Sequence, residues 1–369
     1  MSQVSHHRNE HLSSSQLKRF CSVVLQKVEI PPTDADLIAE SLVQANLRGV
    51  DSHGVTRMAI YVERLKRGLV NPRPRITILR ETPAMAVVDG DNGSGQVVAA
   101  RAMELAIAKA RESGVGLVGI RNSNHFGATA FFTMMALRKE MIGVAMSNAS
   151  ATMAPWGGRS PYLGTNPLSV AVPAGQELPL VLDMATSVVA RGKILLAAQQ
   201  GESIPAGWAI DLDGEVTTDA ARALDGCVLP FGGPKGSAIA LLIDVLSGVL
   251  TGGVYGPHVG DLYRDMERPQ CLGHMMGAID IRWFSDVDVF KKRMDKMIRE
   301  LKSLPPAKGV NEVLLPGEIE ARIHQQREAE GIPLTPGVIA DLRRLALEYA
   351  VPWCGAHQTS TEGRSFELA

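Results

Sequence analysis

Apolar side chains in the first 70 residues recur every three or four positions, the spacing of one face of an α-helix. Leu17, Phe20, Val24 and Leu25 share such a face behind the capping run Ser13-Ser14-Ser15. Pro31-Pro32-Thr33-Asp34 closes that helix and opens a second, bearing Ala35, Ile38, Ala39, Leu42, Val43 and Ala45. If this second helix continues through Asp51-Ser52-His53-Gly54-Val55-Thr56-Arg57, His53 and Arg57 stand at i and i+4 on one face. A third helix, Met58 to Arg67, stops at Gly68 and Pro72.

From Ile76 the pattern changes to short strand-like runs. Ile76–Ile78 and Ala84–Val88 read as strands, followed by the glycine loop Asp89–Gly95 and a helix from Val97 to about Arg111. Gly116–Ile120 reads as a buried strand, Arg121–Gly127 as a polar turn opening a helix over 128–139, and Ile142–Met146 as a strand ending in Ser147-Asn148. Beyond a Gly- and Pro-rich bend come strands Leu168–Val172 and Leu180–Leu182, the latter emptying into Asp183–Ser187 and a helix through Ala198. Ala209–Thr217 is a hairpin by its Asp213-Gly214 turn. Phe231–Ser237 leads into an apolar stretch, Ala238–Val254, expected to be a buried helix, and Asp280–Trp283 is expected to be a strand. The tail then turns helical over 288–302, to about Glu330, and over 336–349, before an irregular run to Ala369 expected to lie as an arm on the body or on a partner subunit.

The succession predicts an α/β fold with a mixed central sheet and helical N- and C-terminal segments. Two lobes are expected, since 369 residues exceed one comfortable core. Residues 1–75 and 288–369, from both ends of the chain, form a helical domain, and residues 76–287 form a sheet domain. A 45% apolar content with 21% charge describes a globular protein. Net charge is −1 with both signs interspersed, so no footprint for nucleic acid or an anionic membrane is present. Cys21, Cys227, Cys271 and Cys354 are scattered and form no C-x-x-C, which argues against disulfides and structural zinc and for a cytoplasmic location. The polar N-terminus has no signal-peptide core, and Asp244 with four glycines interrupts the Ala238–Val254 stretch too often for a membrane span. No metal site is expected, because His258, His274 and His324 stand alone.

Chemistry concentrates in a few places. Arginine offers a planar fork that fits a carboxylate, and histidine exchanges protons near neutral pH, so His53 with Arg57 reads as a clamp for a carboxylate beside a protonating carbon or oxygen. An isolated H-x-x-x-R is ordinarily a solvated helix end. On position alone Asn124 reads as a helix cap and His125 as a satisfied structural histidine. The Asp89–Gly95 loop fails the dinucleotide fingerprint: Gly93 and Gly95 are followed by Val98 where a third small residue is required, and no acidic residue ends a later strand at the usual remove. It reads as a tight turn, not a pyrophosphate cradle. Lys235 lacks P-loop spacing but stands where glycines and a helix N-terminus can receive an anion.

Five blocks together carry a resemblance: Asp51-Ser52-His53-Gly54 with Arg57, Asn124-His125-Phe126-Gly127, Gly164-Thr165-Asn166-Pro167, Asp183-Met184-Ala185-Thr186, and Phe231-Gly232-Gly233-Pro234-Lys235-Gly236. In this order, from about Leu12 to Glu318, they resemble the malate/L-lactate dehydrogenase family. These are NAD(P)-dependent 2-hydroxyacid dehydrogenases unrelated to the Rossmann-type enzymes, with ureidoglycolate dehydrogenase, 2,3-diketogulonate reductase, sulfolactate dehydrogenase and piperideine/pyrroline-2-carboxylate reductase among its members. The resemblance implies a non-Rossmann α/β fold and a homodimer with cofactor sites near the subunit interface. It implies His53 as proton donor, with His125 as a second candidate, and Ser52 and Arg57 as substrate-binding residues. It further implies that Asp183, Met184, Ala185, Thr186 and Ser187 lie along the nicotinamide half of the cofactor and that Ser147 and Asn148 line its pocket. Lys235 and Gly236 would meet the phosphates, and Gly317 and Glu318 the ribose and adenine end. The reaction implied is hydride transfer between nicotinamide and a small 2-hydroxy or 2-oxo acid, malate- or lactate-like. A cyclic imine carboxylate or a ureidoglycolate-type substrate is the alternative. No basic cluster marks a 2′-phosphate pocket, which favours NAD over NADP.

Overall fold

The computed structural model describes residues 10–355. The chain opens with strand β1 (Glu10–Leu12), helix α1 (Ser14–Lys27) and helix α2 (Pro32–Leu47). Ser13 caps α1 by accepting from the Gln16 N–H, and Pro32 sits in the first turn of α2, where its missing N–H costs nothing. Helix α3 (Met58–Lys66) follows, and the far end of the chain returns to it through α10 (Glu318–Glu330), β12 (Ile332–Leu334) and α11 (Pro336–Glu348). β12 pairs antiparallel with β1. Leu17, Leu25, Ile38, Leu42 and Met58 from the start pack in one core with Ile332, Leu342 and Leu345 from the end.

The middle of the chain builds a seven-stranded mixed sheet. Its strands are β2 (Thr77–Glu81), β3 (Met85–Asp89), β4 (Val115–Ser123), β5 (Met141–Ser147), β6 (Leu168–Val172), β7 (Leu180–Met184) and β11 (Leu272–Asp280), in the order β2-β3-β4-β11-β5-β6-β7. Only β3 and β4 run parallel; every other pairing is antiparallel. Helix α4 (Gly95–Ser113) and helix α5 (Ala130–Leu137) cover one face through an Ala- and Val-rich core with Met103, Phe126 and Phe132. A smaller layer follows: α6 (Arg191–Gln200), the three-stranded β8 (Ala209–Ile210), β9 (Val216–Thr217) and β10 (Cys227–Val228), with α7 (Ala220–Asp225) and α8 (Pro234–Asp244). Helix α9 (Val287–Lys302) docks on the sheet side of the molecule, where Asp295 accepts from the N–H groups of Gly175, Gln176 and Glu177. No helix among the described residues is long and apolar enough to cross a membrane.

Several sequence expectations are corrected. The strand expected at Asp280–Trp283 is a turn of 3₁₀ helix over Ile281–Trp283, capped by Asp280, and the strand lies before it as β11. β11 is the central strand, buried on both faces, and a strand of that kind shows an apolar run broken by glycines in place of an alternation. Gly273 is required there, since a Cβ would stand 1.8 Å from the Ser247 carbonyl. The helix expected to be buried over Ala238–Val254 ends at Asp244 and passes into a π-turn, Val245–Val249. One side of it, with Leu241, Leu242, Val249 and Leu250 more than half exposed, has no partner among the described residues. The segment Asp183–Ser187 does not start a helix: β7 runs to Met184 and α6 begins only at Arg191. Of the expected C-terminal arm, residues 356–369 lie outside the described residues.

Candidate active site

Residues 51–57 do not continue α2, which ends at Leu47. They form two single 3₁₀ turns, Asp51–His53 and Val55–Arg57, hinged at Gly54. α2 is stopped at Gly49, φ +78°, where the Val50 N–H returns to the Ala45 carbonyl at 2.8 Å, and the turns that follow are shaped by Asn46, whose Oδ1 accepts from Val55 N–H at 2.8 Å and whose Nδ2 donates to Asp51 Oδ1 at 2.6 Å. Its carboxamide occupies the space of a side chain at Gly54, where a Cβ would stand 2.1 Å from Asn46 Oδ1. From α10, Arg327 forks onto Asp51 (2.7 and 3.0 Å) and holds the same turn from the other side. The distant C-terminal helix therefore sets the orientation of the N-terminal site.

Within this frame His53 and His125 come together, their rings stacked at 5.5 Å between centroids with 20° between planes. His53 Nδ1 lies 2.9 Å from Ser52 Oγ. His125, beyond the end of β4, has Nδ1 2.6 Å from the Tyr61 hydroxyl, and the Gly127 N–H also points at that nitrogen at 3.4 Å. From this network Nδ1 of His125 is assigned as an acceptor, Tyr61 as the donor, and Nε2 as the nitrogen carrying hydrogen. Burial, and secondarily the charge of Arg57, push His53 down to about 4. The same two causes, with His53 and His274 adding to them, hold His125 well below the ordinary histidine value. Both rings are neutral at pH 7. Arg57 donates Nε–H to the Ser52 carbonyl at 2.7 Å and Nη1–H to the Tyr263 hydroxyl, and it forms no ion pair among the described residues.

Asn124 is not a helix cap: its Nδ2 donates to Asn92 O (3.1 Å), Asn92 Oδ1 (3.0 Å) and Gly93 O (2.9 Å), pinning the Asp91–Gly93 turn. The first turn of α4 lies directly beneath, and a Cβ on Gly95 would stand 2.0 Å from the Asn124 carbonyl and 2.7 Å from the His125 carbonyl. The glycine loop thus serves the close approach of backbone under His125.

A second group of expected residues gathers beyond β11. His274 is wholly buried and bridges Ser147 Oγ and Ser123 Oγ, both at 2.8 Å, with its pKa lowered to about 3 by burial. Asn148 is held at both ends, donating to Val254 O and accepting from Gly273 N–H. Asn166 ties Ala149 N–H to the Ala240 carbonyl of α8. Thr186 donates its hydroxyl to Asn166 O and accepts from Phe231 N–H, while Ser187 donates to Val189 O. These hydroxyls donate inside the fold, so any ligand along Asp183–Ser187 meets backbone, Met184, Ala185 and the open side of Asp183. Asp183 accepts from the first N–H of α5 at 2.8 Å. Although that residue keeps solvent on one side, the crowding of its carboxyl among protein atoms pushes it up to about 6, against the Ala130 N–H and Arg48. The Pro316 carbonyl accepts from Val181 N–H, which brings Gly317 against β7 near Asp183. Glu318 is engaged by Lys302 at 2.9 Å and by Leu315 N–H. Lys235 stands in the first turn of α8, behind Gly232 and Gly233 with φ of +56° and +63°, and it forms no ion pair among the described residues.

Sequence reasoning missed Asn46, Arg327, Tyr61, Arg64, Tyr263 and His274. Tyr61 stands one helical turn beyond Arg57, and Asn46 and Arg64 also lie close by in the flanking helices; Tyr263, His274 and Arg327 reach the site from afar in sequence. Among the described residues, no group of three or more His, Cys, Asp or Glu gathers as metal ligands would.

The mixed seven-stranded sheet with its flanking helices is the fold of a class of dehydrogenases with solved structures. A family model described as malate/L-lactate dehydrogenase matches residues 12–343. The L-sulfolactate dehydrogenase of Methanocaldococcus jannaschii is 42% identical over 334 residues, covering 90% of this chain and 95% of that protein. Its solved structure superposes with a TM-score of 0.88, covering 92% and 98% of the two chains. The ureidoglycolate dehydrogenase (NAD(+)) of Escherichia coli K12 is 39% identical over 306 residues, 82% of this chain and 86% of that one. The (2R)-3-sulfolactate dehydrogenase (NADP(+)) of Chromohalobacter salexigens is 33% identical over 338 residues, 91% and 98%. The chain belongs to the malate/L-lactate dehydrogenase family, an oxidoreductase family whose members are NAD(P)-dependent.

Proposed function

We propose that this chain interconverts a small 2-hydroxy acid and its 2-oxo acid with a nicotinamide cofactor. The observation that supports this best is the pair of neutral histidines stacked beside Arg57, a guanidinium with no acidic partner among the described residues. When bound, NADH or NADPH supplies or receives the hydride. Arg57 binds the carboxylate through the Nη hydrogens left open beside the Tyr263 hydroxyl, with Ser52 holding the Nε edge by its carbonyl.

The histidines take different parts. His125, with Nδ1 committed to Tyr61, presents Nε2–H as a fixed donor to the substrate oxygen. His53 is free to exchange its proton, because the Ser52 hydroxyl beside Nδ1 can donate or accept. His53 therefore takes the hydroxyl proton in oxidation and returns it in reduction. A carboxylate on Arg57 offsets the positive charge that helps depress His53, bringing it toward the working pH.

For the cofactor the residues fit a dinucleotide. Lys235 and Gly236 at the unpaired first turn of α8 would hold phosphate, Ser147, Asn148 and Asp183–Ser187 would border the nicotinamide, and Gly317 and Glu318 would meet the ribose and adenine end. Homodimer formation is supported by the exposed apolar side of α8 and its π-turn. For the two-lobe division, 1–75 with 288–369 against 76–287, the core shared by both ends of the chain supports a helical lobe that takes in residues from Ile332 on, while α9 packs on the sheet part through Asp295. A cytoplasmic location accords with four unpaired cysteines.

The test is an NADH and NADPH oxidation screen against oxaloacetate, pyruvate, sulfopyruvate and piperideine-2-carboxylate, with His53→Ala and His125→Ala beside the wild type. Reduction of a 2-oxo acid is expected. His53→Ala should lose ~10²–10⁴ in kcat and the decline of rate with rising pH, while His125→Ala loses rate and keeps that decline. Turnover of the cyclic imine alone would refute the oxo-acid reading, and cofactor oxidation unaffected by either variant would refute the site.

A further inference from the structure

The loop 260–270 is built around a buried arginine. Arg64 of α3, 1% exposed, donates through its guanidinium to the carbonyls of Asp265 (2.7 Å), Arg268 (3.0 Å) and Leu262 (3.3 Å). The base of the loop is closed by Gln270, which donates to Gly260 O at 3.3 Å and accepts from the His125 N–H at 3.1 Å. At its tip stands Tyr263, 55% exposed, with Arg57 over its ring at 5.2 Å and its hydroxyl accepting from Arg57 Nη1. One loop thus touches both the anion-binding arginine and the backbone of a histidine of the site.

Donor geometry around Arg57 is restrictive. The Nε–H is spent on Ser52 O, so the side-on edge of the fork is closed to a carboxylate and the Nη1/Nη2 end remains. The Tyr263 oxygen lies at that end. Having accepted from Arg57, its own O–H still seeks an acceptor, and no described residue takes it.

We propose that Tyr263 is a carboxylate-binding residue, its O–H and the Arg57 fork holding the substrate carboxylate between them, and that Arg64 positions it by anchoring the loop. The proposal rests on the reading of Arg57 as the carboxylate binder. It makes substrate affinity depend on an exposed aromatic residue 206 positions away from the arginine it assists. Tyr263 lies outside every motif block of the sequence.

Oxalate is a suitable probe, since it offers a planar carboxylate and cannot turn over. Its binding to the full chain in the presence of NADH, followed by calorimetry, is compared among wild type, Arg57→Lys, Tyr263→Phe and Arg64→Lys. Loss of one hydrogen bond to a charged group weakens binding about tenfold to hundredfold. Tyr263→Phe is expected to raise the oxalate Kd by that factor and leave NADH affinity unchanged. Arg64→Lys is expected to raise the oxalate Kd with the NADH value again unmoved; if it fails to fold, the exposed Tyr263→Phe alone decides. Oxalate bound as tightly or more tightly by Tyr263→Phe, with Arg57→Lys impaired, overturns this role and leaves the reading of Arg57 standing. Unchanged binding in Arg57→Lys overturns both.

Discussion

Gly95→Ala separates two readings of the glycine loop. A Cβ at this position stands 2.0 Å from the Asn124 carbonyl oxygen, where ordinary contacts begin at 3.4 Å, so the two must part by about 1.4 Å. Gly95 is buried at the start of α4, itself packed through Val98, Ala102 and Met103 into the sheet core, so the strain falls on the Asn124–His125 backbone. His125 then moves away from both Tyr61 and His53. A misplacement of about 1 Å costs on the order of 10²-fold in rate, and overpacking of this kind costs ~1–3 kcal/mol of stability. Steady-state kinetics of the purified variant should show kcat down about a hundredfold, an NADH Kd by fluorescence titration within twofold of wild type, and a lowered melting temperature. Gly192→Ala is the control: nothing lies within 4 Å of its Cβ and it sits in the first turn of α6, so activity and stability should hold or improve slightly. A Gly95→Ala enzyme with normal kcat and weakened NADH binding would refute the packing account and restore a cofactor role to the loop.

Further expectations follow from the same contacts. Tyr61→Phe removes the donor 2.6 Å from His125 Nδ1, and a buried acceptor left short of its partner costs ~1–3 kcal/mol, so kcat should fall about 10- to 100-fold with cofactor affinity unchanged; an effect under twofold refutes the assignment. His53, His125 and His274 are all depressed when folded, the first to about 4 and the last to about 3, against about 6.5 unfolded. Above pH 6.5 neither state binds the proton and stability is full; as pH falls from 6.5 toward 4 the unfolded chain takes up protons the folded one refuses, and stability is lost at up to about 1.4 kcal/mol per unit per histidine. Melting temperature should therefore drop between pH 7 and 5, less steeply in His274→Asn, and a constant value refutes the buried neutral state. For the proposed homodimer, Leu242→Glu places a charge in the exposed apolar side of α8 and should turn a wild-type dimer into a monomer by light scattering; an unchanged mass would refute that face as the interface.

What was legible in the sequence was whatever repeats locally. The period of α1, α2 and α9 and the cap at Ser13 are local facts, and Val287–Lys302 was found within a residue. The central strand β11 was not legible, because burial on both faces erases alternation and Gly273 and Gly277 read as breaks. Gly49, at φ +78°, marks the end of α2 in the sequence itself, whereas the two 3₁₀ turns after it are hidden, because they are shaped by Asn46 and Arg327, a side chain inside the helix and another 276 positions on from Asp51. The apolar run after Ala238 reads as interior, since apolarity marks a covered surface without saying by which chain.

The electrostatics of the site couple substrate identity to proton transfer. In the free chain Arg57 carries a charge no described carboxylate answers, and that charge helps hold both histidines neutral. On the proposed function a bound carboxylate would remove this influence, so it would orient the substrate and also raise the proton affinity of His53. A 2-oxo amide of the same shape as the accepted acid fills the site without that charge. It should bind more weakly, and at saturation its kcat should also be lower and fall away at lower pH than that of the acid. Measured kcat–pH curves for the acid and the amide decide this: coincident curves with only KM displaced would show that Arg57 acts on binding alone and that the proton affinity of His53 is set by burial.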